Sequence, residues 1–146
     1  PDALTLRAAV RYLRGDRDGF EATRRRVLAR APRHAPLYAT LADLAARHRQ
    51  YAAAARFAAQ GVALDSTSWR SHALRGINQL RLGHADSARA SLELAFAGDP
   101  YDVWTKNTLD LLDATRAYRT VRTPRFTFVA DSTESALLAL YLGELM

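Results

Sequence analysis

The chain has 146 residues, of which 49% are apolar, so it is long enough to bury the core of one ordinary domain. It contains no run of 18 apolar residues, which excludes an ordinary membrane-spanning helix. The formal net charge is +6, and the absence of cysteine excludes disulfides and thiolate metal sites. This composition is compatible with a cytoplasmic or a periplasmic location, and Pro1 in place of an initiator Met predicts a longer gene product.

Helical periodicity and breaker residues predict seven consecutive helices. Gly15 and Gly83 each follow the end of a helix, and Asp99-Pro100 is a start signal. The predicted helices cover about residues 2–14, 17–30, 36–48, 51–64, 68–82, 85–97 and 100–117. The connections are short, so consecutive helices are expected to be antiparallel neighbours. This predicts three stacked helical hairpins with the seventh helix as a cap.

The pattern changes after the seventh helix. Residues 118–124 are predicted to be an extended linker, because Pro124 disfavours helix before it. Residues 125–146 are predicted to form a strand–helix extension. Its first six residues, which include Phe126, alternate in the manner of a strand. The final helix, about 135–146, is too apolar to face water alone. The extension is therefore expected either to begin a second domain or to mediate dimerisation.

The sequence also repeats itself with a period of 34 residues. Ala54 aligns with Ala88, and Gly61 aligns with Ala95. Small residues thus recur where two helices must approach closely. A self-similarity of this length is typical of a helical solenoid, and such folds bind partners far more often than they catalyse reactions.

The repeats resemble the tetratricopeptide repeat (TPR). In the third repeat, Gly76 stands at the small position of the first helix, and Ala88 and Ala95 stand at those of the second. Pro100 closes the repeat. The resemblance covers about residues 1–117. It implies an all-α, right-handed helical solenoid of three helix hairpins plus a capping helix.

TPR arrays usually bind peptides in a concave groove lined by the first helix of each hairpin. The groove candidates that this resemblance implies are Tyr12, Asp43, Arg47, Arg70, Ile77, Arg81, Trp104 and Asn107. The three arginines suit an acidic partner segment, although ordinary exposed arginines would give the same pattern. In TPR domains that bind chaperone tails, a Lys/Asn/Arg clamp holds the terminal carboxylate. Thr5, Ala39 and Ala73 stand where its lysine would be sought, so a chaperone co-factor role is not expected.

The charge distribution raises the question of nucleic-acid binding. Residues 1–34 hold nine arginines against four acidic residues, and they include the run 24–26. A solvated helix face explains this basic patch better, because few aromatic residues are interleaved to stack bases.

No catalytic motif, cofactor motif or metal-ligand set occurs in the sequence. The four histidines are His34, His48, His72 and His84, and none of them forms H-E-x-x-H. The predicted function is therefore a non-catalytic scaffold that binds a protein or peptide.

A looser resemblance gives an alternative to a self-contained scaffold. Residues 101–113, followed by Arg-Phe-Thr-Phe, look like the junction in certain bacterial proteins. In those proteins, TPRs precede a zinc metallopeptidase domain of the gluzincin, peptidase MA-like type. The alternative is thus an N-terminal arm that positions substrate or partner, with its catalytic domain downstream of Met146.

Overall fold

The computed structural model describes residues 2–122 and 127–145, with side chains described as far as Leu142 in the last helix. These residues form two compact units, which divide in the sequence after Leu109. The first unit contains six helices and the beginning of a seventh. They are α1 (Asp2–Leu13), α2 (Arg17–Arg30), α3 (Pro36–Arg47), α4 (Tyr51–Leu64), α5 (Trp69–Arg81), α6 (Ala85–Gly98) and α7 (Val103–Ala114).

The first unit is built from three helical hairpins, α1–α2, α3–α4 and α5–α6, whose two helices pack against each other. The first helices of successive hairpins are also neighbours, since α1 packs on α3 and α3 packs on α5. In addition, α4 packs on α5 and joins the second hairpin to the third. The predicted hairpin arrangement is confirmed. One consequence is that α3 and α5 lie side by side and present a shared surface.

Each hairpin turn has the same backbone conformation. Gly15, Arg49 and Gly83 follow one another at 34-residue intervals and have φ angles of +70°, +58° and +82°. In each turn, the amide of the next residue donates to a carbonyl five residues earlier. These hydrogen bonds are Asp16 to Arg11 at 3.0 Å, Gln50 to Ala45 at 2.9 Å and His84 to Gln79 at 3.0 Å. A left-handed residue with this bond is the usual way to end a helix. In the second hairpin, an arginine holds the position that glycine holds in the others.

Small residues lie where the helices of a hairpin cross. Ala8 and Ala42 are fully buried, and Gly76 is buried at the same position of the third repeat. A Cβ on Gly76 would lie 2.6 Å from Cγ of Leu92 and 2.9 Å from the carbonyl oxygen of Ala88. The approach of α5 to α6 therefore requires glycine. The 34-residue repeat in the sequence marks these crossing points.

The core of the first two hairpins combines aliphatic and aromatic side chains. Leu37 and Leu41 are fully buried. The ring of Phe57 packs edge-on against Tyr12, with centroids 5.1 Å apart, and stacks on Tyr38 at 6.4 Å. Phe20 completes this aromatic cluster, 5.8 Å from Tyr12. Such aromatic pairs contribute about 0.5–1.5 kcal/mol each beyond their buried area.

The second unit contains a small antiparallel sheet and one helix. Strand β1 (Tyr118–Arg122) pairs with strand β2 (Thr127–Asp131), with Val121 opposite Phe128, and α8 (Ser135–Leu145) follows. The first five residues of the predicted linker 118–124 are therefore a strand. These residues form a strand because β2 supplies hydrogen-bond partners for their backbone groups, which an isolated strand would lack. Pro124, Arg125 and Phe126, which belong to the predicted linker and strand, lie outside the described residues.

Helix α8 carries exposed apolar side chains. Leu137, Leu140 and Tyr141 are each about two-thirds exposed. Dimerisation through the C-terminal extension and the second-domain interpretation both stay predictions. Within the described part of the chain, no helix is long and apolar enough to cross a membrane.

Candidate functional site

The first unit contains a cavity of about 380 Å³ on the surface that α3 and α5 share. The end of α6 and the segment that leads into α7 complete it. Its lining contains two tryptophans, four charged groups and several aliphatic side chains. Of the aliphatic residues, Ala73, Leu74 and Ile77 on α5 are called the floor of the cavity. The lining residues are Asp43, Trp69, Arg70, Ala73, Leu74, Ile77, Ala95, Asp99, Asp102 and Trp104.

The two tryptophans differ in how firmly they are held. Trp69 begins α5, and its indole ring lies so close to Gly98 that any side chain there would overlap it. The indole also stacks on His72, with ring centroids 6.1 Å apart and an interplanar angle of 29°. His72 is itself buried and bonded through Nε2 to the carbonyl of Ser66 at 3.0 Å. In contrast, Trp104 is 78% exposed. The cavity therefore has one aromatic wall held by packing and one exposed aromatic side chain.

Three carboxylates line the cavity. Asp43 on α3 is paired with Arg47 one turn later, with Nε 3.1 Å from Oδ2. Asp102 immediately precedes α7, and there its Oδ1 accepts from the amide of Trp104 at 3.1 Å and its Oδ2 accepts from the hydroxyl of Thr105 at 2.6 Å. These hydrogen bonds are typical of a helix cap, so they hold Asp102 beside Trp104.

Asp99 and Arg70 complete the charged lining. Oδ1 of Asp99 accepts from the amide of Tyr101 at 3.2 Å. Arg70 is exposed and forms no ion pair within 4.0 Å among residues 2–122 and 127–142. The cavity thus combines three carboxylates with one guanidinium group.

The structure brings together four of the eight groove candidates, namely Asp43, Arg70, Ile77 and Trp104. Arg47 contributes indirectly, through its ion pair with Asp43.

The other three candidates lie apart from this cavity. The guanidinium of Arg81 lies 5.0 Å from the ring centroid of Tyr51, a cation–π contact. Asn107 is exposed on α7. The ring of Tyr12 belongs to the aromatic cluster, and its hydroxyl donates to Gln50 at 2.7 Å.

A second cavity, of about 460 Å³, lies near the turns of the first two hairpins, where Tyr12, Gly15, Phe20, His48 and Gln50 are among its lining residues. It lies beside the aromatic cluster, away from the surface shared by α3 and α5. Tyr12 and Leu13 at the end of α1 contribute to it, and it shares no lining residue with the cavity on α3 and α5.

Several lining residues were absent from the predicted set. Trp69, Asp99 and Asp102 precede or begin helices, and the sequence marks such positions as caps rather than as groove residues. Trp69 lies four residues before Ala73 and eight before Ile77 on the same face of α5, but the contact with Gly98 that fixes its ring has no signal in the sequence. Leu74 and Ala95 give no signal in the sequence that distinguishes them from ordinary core residues.

The basic patch of the first repeat is partly engaged in packing. Arg24 donates to Oε2 of Glu21 at 2.7 and 3.0 Å and to the hydroxyl of Tyr38 at 3.1 Å. These hydrogen bonds, the one to Glu21 foremost, raise the pKa of Arg24. Arg25 and Arg26 are exposed. In the parts of the chain that are described, no group of three or more His, Cys, Asp or Glu side chains has the arrangement of a metal site.

No protein-family model matches the chain, and no curated protein matches its sequence. Solved structures do match it. The first TPR domain of Spaghetti (RPAP3), bound to the HSP90 peptide SRMEEVD, is 18% identical with a TM-score of 0.60, over 77% of this chain and 89% of that one. The second TPR domain of human RPAP3, in complex with the HSP70 peptide SGPTIEEVD, is 20% identical with a TM-score of 0.59, over 75% and 92%. The Sgt2 TPR domain from Aspergillus fumigatus is 15% identical with a TM-score of 0.60, over 77% and 76%.

At these identities the likeness shows the fold, and the chain has the tetratricopeptide-repeat fold. The predicted TPR resemblance and the predicted fold class, helical hairpins with a short strand–helix extension, are confirmed. The resemblance to a metallopeptidase arm is not shown by these comparisons.

Proposed function

We propose that the first unit is a non-catalytic module that binds an extended segment of a partner protein in the Trp69–Trp104 cavity. The observation that carries this proposal is a cavity lined by both the exposed Trp104 and the fixed indole of Trp69, with aliphatic lining from Ala73, Leu74 and Ile77. Binding surfaces are enriched in tryptophan, because it buries a large apolar area and loses little conformational freedom. The bound peptides named for the two RPAP3 domains support the use of this fold for peptide binding.

An acidic partner was expected from Arg47, Arg70 and Arg81. Of these, Arg70 lines the cavity and has no ion pair within the described part of the chain, whereas Arg47 is paired with Asp43 and Arg81 contacts Tyr51. Arg70 is therefore the residue on which an acidic partner would depend.

The test is a selection of random peptides, about a dozen residues long, on the immobilised full chain. The best binder is then titrated against wild type, Trp104→Ala and Tyr101→Ala. Tyr101 is a matched control, because it is an aromatic residue of the same segment, is 91% exposed and does not line the cavity. We expect Trp104→Ala to weaken binding at least about tenfold, since anchor residues of an interface commonly contribute 2 kcal/mol or more. Equal affinity of the two variants would overturn the proposal.

A further inference from the structure

We propose that the partner segment anchors in the Trp69–Trp104 cavity through a cationic side chain, an arginine or a lysine. This inference rests on the proposed function, because it names the chemistry of the segment that the cavity takes. It departs from the acidic peptides named for the two RPAP3 domains.

Negative charge exceeds positive charge among the lining residues of the cavity. Asp43 is neutralised by Arg47, with Nε and Oδ2 3.1 Å apart. The donors to Asp99 and Asp102 are backbone amides and a hydroxyl, which are neutral and leave both negative charges in place. Against these stands the single positive charge of Arg70. A carboxylate that entered the cavity would meet more charges of its own sign than of the opposite sign.

The tryptophans of the cavity can bind a cation. The faces of aromatic rings carry negative potential, and tryptophan binds a cation most strongly of the three aromatic residues. Trp69 is fixed by Gly98 and His72, so its position is set before a ligand arrives. Trp104 is exposed and tied at its amide to Asp102. A guanidinium or ammonium group between these rings would thus lie near a carboxylate as well as against an aromatic face.

The apolar floor of the cavity suits the aliphatic stem of a long cationic side chain. Leu74 and Ile77 are half-buried, and Ala73 is buried beside them on α5. Arginine and lysine bury their aliphatic stems against apolar surface while the charged end reaches polar groups. The aliphatic floor and the carboxylates at the α6–α7 segment therefore fit the two ends of one long cationic side chain. A short acidic side chain would leave the floor uncovered.

The test uses the best peptide from the random selection and three synthetic versions of it for each of its cationic residues. In these versions each cationic residue in turn is replaced by norleucine, by glutamine or by glutamate. We expect one cationic position at which all three replacements weaken binding to the full chain by about tenfold or more, as for a desolvated cation–π contact. Glutamate is expected to weaken binding most.

The protein side of the test is the triple variant Asp43→Asn, Asp99→Asn, Asp102→Asn. Asparagine preserves the side-chain shape and still accepts the backbone capping hydrogen bonds through Oδ1, and at position 102 its Nδ2 can donate to the hydroxyl of Thr105, so the fold is expected to persist. We expect this variant to bind the cationic peptide at least about fivefold more weakly, whereas Asp86→Asn on α6, an exposed residue outside the cavity, changes nothing. Circular dichroism of each variant checks folding.

Two outcomes would overturn the inference, and they are distinguishable. If the selected peptides are acidic, lose affinity on Arg70→Gln and still require Trp104, the cavity binds a segment and only the cationic anchor is wrong. If peptide binding is indifferent to Trp104→Ala, the proposed function fails, and the anchor fails with it.

Discussion

The last residue of α6, Gly98, lies directly against the indole ring of Trp69, the first residue of α5. A Cβ at this position would overlap the ring, so glycine is the residue that lets Trp69 lie where it does. Trp69 in turn forms one wall of the cavity. A helix end with no functional group of its own thus determines the shape of the candidate site.

Replacing Gly98 with alanine is expected to displace Trp69 and to lower stability by about 1–3 kcal/mol, as overpacking usually does. Urea unfolding measures the loss, and the fluorescence of Trp69 in a Trp104→Phe background reports its movement. Ala97→Ser changes an exposed neighbour and is expected to leave both signals unchanged. An unchanged emission spectrum in Gly98→Ala would show that the ring does not depend on this glycine.

Replacing Arg49 with glycine is expected to stabilise the protein. Arg49 has a φ of +58°, a conformation that costs a residue with a side chain about 1–2 kcal/mol. Glycine also makes the unfolded chain more flexible, which offsets part of this stabilisation. We therefore expect the free energy of unfolding to rise by about 0.5–1 kcal/mol. The free energy of unfolding in urea is the measurement.

The matched control is Gly83→Ala in the equivalent turn. A Cβ there meets nothing within 4 Å, so its cost comes from the φ of +82° alone. We expect a loss of about 1–2 kcal/mol. If Arg49→Gly and Gly83→Ala changed the free energy of unfolding in the same direction, the left-handed conformation of these turns would not be the cause of the changes.

Gly76→Ala is expected to destabilise the third hairpin, although alanine is the better helix former by about 0.5–1 kcal/mol. The new Cβ would lie 2.9 Å from the carbonyl oxygen of Ala88, which belongs to the backbone and cannot turn aside. We expect a net loss of about 1–3 kcal/mol in urea unfolding. Leu92→Ala removes Cγ and Cδ2, the side-chain atoms nearest the new Cβ, so the double variant should lose less than the sum of the two single changes. Simple additivity would argue against a steric origin.

The pKa of Asp65 is expected to lie below the ordinary value for aspartate. Its Oδ1 accepts a hydrogen bond from the hydroxyl of Thr67 at 2.7 Å, the larger cause, and another from the amide of Thr67 at 3.0 Å. A lowered pKa in the folded state contributes stability above the unfolded pKa, and this is lost as pH falls through the folded pKa. Carboxyl NMR titration should show that Thr67→Val raises the pKa of Asp65. If the pKa of Asp65 is the same in Thr67→Val as in the wild type, the hydroxyl of Thr67 is not the cause of the lowered pKa.

The fold could be predicted to a large extent because its determinants are local. Start signals such as Asp99-Pro100 and the breakers Gly15 and Gly83 locate helix ends within a few residues. Arg49 was missed as a left-handed residue, since arginine seldom adopts that conformation. The 34-residue spacing from the two glycines was the available signal.

Strand β1 was missed for a different reason. Pro124 pointed to extended chain, and extended chain becomes a strand only when a partner supplies its hydrogen bonds. The alternation through Thr120 and Val121 agrees with their pairing to Val129 and Phe128, but local sequence does not specify that register.

The candidate site could be predicted only in part. The TPR resemblance implied which face of α3 and α5 lines a groove, and Asp43, Arg70 and Ile77 from that face do line one cavity. The contributions of Trp69 and Asp99 depend on how closely α6 approaches α5 and on the path of the chain between α6 and α7. Tertiary packing sets both of these, so helical periodicity did not reveal them.

The central claim is that a peptide binds between Trp69 and Trp104, and NMR tests it most directly. Each indole Nε1–H gives its own resonance, and the two can be assigned with Trp104→Phe. Addition of the selected peptide to the labelled full chain is expected to shift both indole signals together with the amides of Ala73 and Ile77. If the largest shifts instead fall around Tyr12 and the turn-side cavity, or if neither indole signal moves at saturation, the account is contradicted.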